Sequence, residues 1–414
     1  MGGGLVRILI VSQYFWPESF RINDLSLGLR ERGHAVSVLT GLPNYPSGEF
    51  FAGYGLKGPW SDSMDGIPIT RVPLLRRGSA KGWMLGLNFV SFAAMASLIG
   101  PARVTGDVDV IFVYEPSPIT VALPAIVLRK LRSVPMVLWV QDLWPDVLQV
   151  TAAIRSPRML GHISRLTRWI YRHCDKILAE SLAFIPAIQA KGVPAERLDY
   201  MPNWAEAFYK PLCLEADAPE RSEMPQGFRI LFAGNIGESQ ALGVVLSAAD
   251  KLRDKGHIHW VFIGDGRKHD WLQAEVKRRG LNEVVHILGR RPVESMPRYF
   301  AAADALLVTL RADPHYSWTV PSKLQSYMAC GKPILGAIEG EGARIILESG
   351  GGLVAGAENP ESLAEAALAF VSMPREDRNA MGINARKYFE EHFERETIID
   401  RLEQVLIRVA GGDQ

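Results

Sequence analysis

Ten short runs rich in β-branched and other apolar residues recur along these 414 residues, and most are separated by a segment long enough for a helix. The first five are LVRILIVS (5–12), HAVSVLT (34–40), VDVIFVY (108–114), PMVLWVQD (135–142) and DKILAES (175–181). Uninterrupted runs of this kind suit parallel strands covered on both faces, and strand–helix–strand spacing predicts a sheet with helices on each side. The pattern lapses over DYMPNWAEAFYKPL (199–212), where Pro202 and Pro211 interrupt it, then restarts with FRILFAGNIG (228–237), HWVFIGDG (259–266), VVHILGR (284–290), DALLVTL (304–310) and KPILGA (332–337). The expected fold is therefore α/β with two Rossmann-like domains, at 1–200 and 201–394, and a final helical segment, 395–414.

Composition narrows the function classes. Residues 1–200 carry 21 Lys and Arg against 15 Asp and Glu, and the remainder 25 against 30, so the first half is the one expected near an anionic partner. Zinc spacings, basic arms and aromatic RNA-binding signatures are missing from the sequence, and no nucleic-acid partner is expected. The three cysteines, Cys174, Cys213 and Cys330, show no CxxC spacing, which argues against a disulfide framework or a metal site and for a reducing cytosol. The start, MGGGLVRILIVSQ, lacks the length and cleavage pattern of a secretory signal.

Two segments bear on membranes. Residues 82–102, GWMLGLNFVSFAAMASLIGPA, form an uncharged run of 21 residues flanked by Arg76, Arg77 and Lys81. Glycines, serines, Asn88 and Pro101 dilute it, which sets two readings ahead of a true membrane span: a helix dipping into a cytoplasmic leaflet with Trp83, Phe89 and Phe92 at the interface, or a core helix of the first domain. In SPRMLGHISRLTRWIYRHC, Arg158, Arg165 and Arg172 fall on one helix face and Ile163, Leu166 and Ile170 on another, which fits a solvated face or a surface meeting anionic lipid.

The chemistry is expected at strand ends, where doubly wound sheets bind ligands. In the second domain Gly234, Asn235 and Gly237 follow one strand, and Gly264 with Arg267 follows the next. Backbone N–H groups at a helix start there would meet phosphate oxygens. In VPSKLQSYMACGKPIL, Ser322 is placed to cap a helix and Lys323 to add charge to its positive end, so two cations and N–H donors would clamp a diphosphate without a metal. In the first domain Asp142 and Glu115 end strands and are candidates to accept or orient a hydroxyl proton. Glu18, Arg21 and Asn23 lie in the first loop, where Arg21 is a candidate for an acceptor phosphate.

QYFWPE-x-FRINDL followed by RGH-x-V-x-VLTG-x-PNYP, and later GNIG, GDG, GRRPVESMP, AAADALLV and PSKL-x-SYMACGKPI, resemble the bacterial sugar transferases of glycosyltransferase family 4, in the branch that handles L-fucosamine-type sugars. The resemblance implies two Rossmann-like domains facing a cleft, with a nucleotide sugar bound by the second and the final helical segment, 395–414, returning to the first. It puts Asn235 and Gly237 near the diphosphate or sugar, Arg267 and Lys323 on the diphosphate, and Arg290 beside base or ribose. It further implies a UDP-sugar donor, N-acetyl-L-fucosamine or a similar 6-deoxy amino sugar as cargo, and no cofactor. The implied acceptor is a polyprenyl-diphosphate-linked saccharide at the inner face of the cell membrane, in O-antigen, lipopolysaccharide or capsule synthesis.

One departure stands out. The family's two glutamates, eight positions apart, align with Trp318 and Ser326, so their sugar and ribose contacts must come from elsewhere, with Glu341 and Ser322 as candidates. The course the resemblance implies is retaining. Rivals are a UDP-amino-sugar epimerase of the same architecture and a non-catalytic nucleotide-sugar-binding scaffold. An NAD-dependent oxidoreductase is disfavoured because neither Gly-rich turn completes GxGxxG with its ribose acid.

Overall fold

The structure, a computed structural model, describes residues 4–78, 82–150, 154, 156–255 and 257–411. The chain divides into two compact units, one of residues 1–201 with 399–414 and the other of residues 202–398.

The first unit holds β1 (Arg7–Val11), α1 (Arg21–Glu31), β2 (Ala35–Gly41), β3 (Ser61–Met64), β4 (Ile67–Val72), α2 (Gly82–Arg103) and β5 (Val110–Glu115). It continues with α3 (Ala122–Arg132), β6 (Met136–Val140), α4 (Asp146–Val150), α5 (Pro157–Arg172), β7 (Lys176–Ala179), α6 (Phe184–Gln189) and β8 (Leu198–Tyr200). The sheet order is β3-β4-β2-β1-β5-β6-β7-β8, parallel except where β3 and β4 pair antiparallel. Ile8–Val11, Val110–Val113 and Met136–Val140 are all buried, as strands covered on both faces must be. The short β3–β4 ribbon was not among the expected strands, because SDSM and IPITRV are too polar and too brief to stand out.

Right-handed crossovers fix which face each helix covers. The steps β4 to β5, β5 to β6 and β6 to β7 run the same way across the sheet, so α2, α3 and α5 share one face, and α3 touches both neighbours. The β1-to-β2 step runs the opposite way and carries α1 to the other face. The end of α1 meets the closing helix of the chain: Arg32 pairs with Asp400 at 2.7 Å, and His34 Nε2 lies 2.9 Å from Glu403.

The second unit contains α7 (Pro219–Ser222), β9 (Phe228–Ala233), α8 (Leu242–Lys251), β10 (Ile258–Ile263), α9 (His269–Arg279), β11 (Val285–Gly289), α10 (Met296–Ala302) and β12 (Ala305–Thr309). Then follow α11 (Pro314–Trp318), α12 (Ser322–Ala329), β13 (Ile334–Ala337), α13 (Gly340–Glu348), β14 (Gly352–Ala355), α14 (Pro360–Ser372), α15 (Arg375–His392) and α16 (Arg395–Gly411), whose residues from 399 onward belong to the first unit. Its sheet, β11-β10-β9-β12-β13-β14, is wholly parallel. Apolar clusters cover both faces, one built around Phe232, Trp260 and Phe262, the other around Tyr299, Phe300 and Tyr327. Strand order reverses between β1 and β5 in the first sheet and between β9 and β12 in the second. The carboxyl ends at these reversals are the places where open parallel sheets receive ligands.

Candidate active site

In the second unit, β9 and β10 end in glycine turns stacked directly on one another. Gly234 N–H donates to the Ile263 carbonyl at 2.8 Å, Ile236 N–H to Asp265 at 2.8 Å, and Gly264 N–H to Gly289 at 2.9 Å. Gly264 has a φ of +142°, and a Cβ there would sit 1.9 Å from the Gly234 carbonyl oxygen, so only glycine lets the turns close up. These amides are spent on neighbouring turns. Those three are closed to phosphate; a short 3-10 turn, 238–240, begins straight after Gly237, and α8 begins only at Leu242.

Lys323 comes to this ledge from α12. Its Cε lies 2.7 Å from the place a Cβ would take on Gly234, its Nζ donates to Gln240 Oε1, and the ammonium stands 3.9 Å from the centroid of the Phe232 ring. Burial pulls its pKa down to about 7. The turn carrying Gln240 is pinned when Arg311 N–H donates to the Ser239 carbonyl at 2.9 Å. Asn235 lies between Gly237 and Gly266, with its Nδ2 and Oδ1 filling the space beside each glycine. The fold thus gathers Gly234, Asn235, Gly237, Gly264 and Lys323 in one place. Gln240 was missed from sequence, since a lone Gln in a turn carries no signal that it will face an ammonium group.

Other expected donor residues stand differently. Arg267 and Arg290 are exposed at the carboxyl ends of β10 and β11, and neither makes an ion pair among the described residues. Ser322 does not cap α12: Pro321 occupies the cap position and Ser322 is the first helical residue. Glu341 is buried with both carboxylate oxygens 3.1 Å from Arg344 nitrogens, so its charge is already matched. Of the two positions aligned with the family's glutamates, Ser326 donates to the Ser322 carbonyl at 3.3 Å and Trp318 closes α11. A cavity of about 380 Å³ adjoins the Gly237 turn and is lined by Glu238, Lys268, Trp271, Arg311 and Glu358; its charges pair across the rim, Lys268 with Glu238 at 2.7 Å and Arg311 with Glu358 at 3.6 Å.

In the first unit the ends of β5, β6 and β7 carry Glu115, Asp142 and Glu180, whose charges act on the buried Tyr114 phenol, as does that of Arg21 on the first turn of α1. Burial pushes the Asp142 carboxyl up to about 7. Glu115 is fully buried, and burial together with the Asp142 charge drives it well above the usual carboxylate range, against the pull of the Asp142 and Gln141 backbone N–H groups. Asp142 is the more accessible of the two. Glu180 was not among the expected residues, because its strand, DKILAES, offers no motif.

Three expectations for the first loop and its flank are corrected. Glu18 is buried, and its carboxylate accepts from the N–H groups of Asn44 at 2.8 Å, Tyr45 at 2.7 Å and Phe15 at 3.3 Å. Asn23 accepts from Trp16 N–H at 3.1 Å and donates to the Glu18 carbonyl at 2.7 Å. Both side chains are engaged in folding the loop. Arg77 lies over the rings of Tyr14 and Tyr45, at 5.7 and 5.0 Å, and donates to the Tyr14 hydroxyl at 2.9 Å, so it does not project as a surface cation. Phe92 is buried and unavailable to lipid, Phe89 is half-buried, Trp83 is exposed, and Arg76 is exposed in an ion pair with Glu49. Lys81 lies outside the described residues. Among the described residues no group of three His, Cys, Asp or Glu side chains is arranged to hold a metal ion.

With this geometry in view, residues 19–204 match the model of the Glycosyl transferase 4-like domain and residues 227–373 that of Glycosyl transferases group 1. The chain belongs to the family 4 glycosyltransferases. It is similar to WcaI of Escherichia coli K12, named as a colanic acid biosynthesis glycosyl transferase, at 25% identity over 348 residues, 79% of this chain and 82% of that protein. It is also similar to AmsK of Erwinia amylovora, an amylovoran biosynthesis glycosyltransferase, at 27% identity over 223 residues, 53% of each chain. Among solved structures, Anabaena HepE in complex with UDP and glucose shares the fold with a TM-score of 0.66 at 17% identity, over 97% of this chain and 99% of that one. WaaG, a glycosyltransferase involved in lipopolysaccharide biosynthesis, does so with a TM-score of 0.65 at 15% identity over 97% and 99%.

Proposed function

We propose that this family 4 glycosyltransferase moves a sugar from a UDP donor onto a polyprenyl-diphosphate-linked saccharide during synthesis of a surface polysaccharide, working at the inner face of the cell membrane. The observation that carries the donor half is the half-buried Lys323 ammonium on the Gly234 ledge. An amine with a pKa near 7 in a dry setting gains most from an arriving diphosphate, taking up a proton as the anion binds. As the bond from the anomeric carbon to the UDP oxygen breaks, negative charge grows on the diphosphate; Lys323, held by Gln240 and the Phe232 ring, receives it, and the exposed Arg267 at the next strand end joins it. The new bond forms between the anomeric carbon and an acceptor hydroxyl oxygen.

Asp142 is the residue we assign to that hydroxyl. It stands at a strand end with a pKa raised to about 7, suited to holding a proton in transit near neutrality, while burial and the Asp142 charge raise Glu115 as well. A UDP donor is supported by the UDP complex of HepE, polysaccharide synthesis by the names of WcaI and AmsK, and a 6-deoxy amino sugar such as N-acetyl-L-fucosamine by the sequence motifs. Trp318 and Ser326, standing where the family has acids, favour one second reading: a scaffold that binds the donor without turning it over.

The deciding experiment incubates purified protein with UDP-linked sugars, with and without polyprenyl-diphosphate-saccharide, and follows products by mass spectrometry. Transfer predicts an acceptor heavier by one sugar residue. A donor isomer alone indicates an epimerase, and binding without turnover the scaffold.

A further inference from the structure

The three helices that share one face of the first sheet, α2, α3 and α5, contain no Asp or Glu at all. They carry Arg103, Arg129, Lys130, Arg132, Arg158, Arg165, Arg168 and Arg172. Arg129 is matched by Asp175 at 2.8 Å, and Arg132 donates to backbone carbonyls, whereas Lys130, Arg158, Arg165, Arg168 and Arg172 are exposed and form no ion pair among the described residues. Exposed cations of an ordinary solvated helix are usually interleaved with acids, and these are not.

The same layer also leaves large apolar side chains uncovered. On α2, Trp83, Leu87, Val90, Ala94 and Leu98 recur at steps of four, three, four and four and form a single exposed stripe, with Trp83 67%, Val90 61% and Leu98 75% accessible. Leu131 on α3 and Met159 and Trp169 on α5 extend the apolar surface. The helix α2 is long and apolar enough to cross a membrane by length and composition, but its opposite side forbids that. Phe92, Ala93 and Ala96 are buried, and Asn88 is tied to Gln13 at 2.7 Å and to the Leu75 carbonyl at 2.5 Å. A helix held to the sheet on one side and apolar on the other lies along an interface.

We infer that the outer surface of the α2–α3–α5 layer docks on an anionic phospholipid bilayer, the α2 stripe entering the acyl boundary and the α3 and α5 cations meeting headgroups. Charge complementarity selects the occupant: a second copy of this surface would set arginines against arginines, while a leaflet bearing anionic lipids satisfies both the cations and the stripe. This rests on the membrane association proposed above and names the surface responsible.

The test is co-sedimentation of the full chain with vesicles of phosphatidylcholine alone or mixed equally with phosphatidylglycerol. It compares wild type, the double variant Leu87→Asp/Val90→Asp and the double variant Arg165→Glu/Arg168→Glu, with melting temperature and UDP affinity measured in parallel. Wild type should prefer the anionic vesicles. Each double variant should lose about tenfold or more in partitioning, at unchanged melting temperature and UDP affinity. Wild type that binds while both folded variants bind equally overturns this surface and leaves the association standing; wild type that binds neither vesicle overturns both. A dimer in vesicle-free sedimentation that the variants abolish would assign the stripe to a second copy and overturn the inference.

Discussion

The Cε of Lys323 lies 2.7 Å from where a Cβ would stand on Gly234, so the cation on α12 and the bare turn after β9 are fitted to each other. Either residue changed alone disturbs the other. Lys323→Ala should weaken UDP binding by about 1.5–3 kcal/mol, roughly ten- to a hundredfold, the range for hydrogen bonds to charged groups. Isothermal calorimetry checks it, and an unchanged dissociation constant would remove Lys323 from the diphosphate.

The direction of its titration gives a separate check. Folding lowers the Lys323 pKa from 10.5 to about 7, so between those values the unfolded chain binds the extra proton and this group's contribution to stability rises with pH. Donor binding should then take up close to one proton near pH 8, and affinity should decline as pH climbs above 7. Calorimetry in buffers of different ionisation enthalpy reads the uptake; Lys323→Met should abolish it.

Gly264→Ala puts a methyl group 1.9 Å from the Gly234 carbonyl oxygen and forces a side chain onto a φ of +142°. A cost of about 1–3 kcal/mol from the backbone conformation alone is expected, with the clash added. Chemical denaturation should report it, and donor affinity should fall along with stability because the ledge under Lys323 shifts.

Asp142→Asn separates activity from stability. The carboxyl is raised from 3.8 to about 7 by burial, so the folded chain holds its proton better, and this group's contribution to stability is lost as pH rises through 7. The variant should therefore melt no lower than wild type at pH 8, while turnover drops about 10²–10⁴-fold, the usual range for a missing proton-transfer group. Turnover within a few-fold of wild type would exclude the assignment.

Arg71 is fully buried, donating to the carbonyls of Gly41 at 3.1 Å and Trp16 at 2.6 Å and pairing with Asp62 at 3.1 Å. Removing it takes a donor from two carbonyls and the charged partner from Asp62, which keeps the Tyr54 hydroxyl and the Ser63 N–H. Arg71→Ala should cost about 3–5 kcal/mol, read by denaturant titration.

Strands with unbroken apolar runs, such as Phe228–Ala233 and Val110–Glu115, were readable because burial on both faces writes itself into consecutive residues. The β3–β4 ribbon was not, since half-polar strands of four to six residues look like loop. At the site, residue types were legible and roles were not. A loop carboxylate such as Glu18 reads the same whether it awaits a substrate or gathers three backbone N–H groups, and only the folded path of 42–45 decides. Ser322 failed as a cap because Pro321 took the position one residue earlier. The meeting of Gln240 with Lys323 is a contact across 83 positions, beyond any local pattern.

The ties from Arg32 to Asp400 and from His34 to Glu403 have a consequence for biosynthesis. A ribosome makes the first unit's sheet early, but the residues that cover the end of α1 emerge only after the entire second unit. Until then the nascent first unit must wait with that surface open, so the second unit folds as an insertion within an unfinished partner. Truncations that spare every residue of the site but remove 399–411 should yield chains prone to aggregation and degradation.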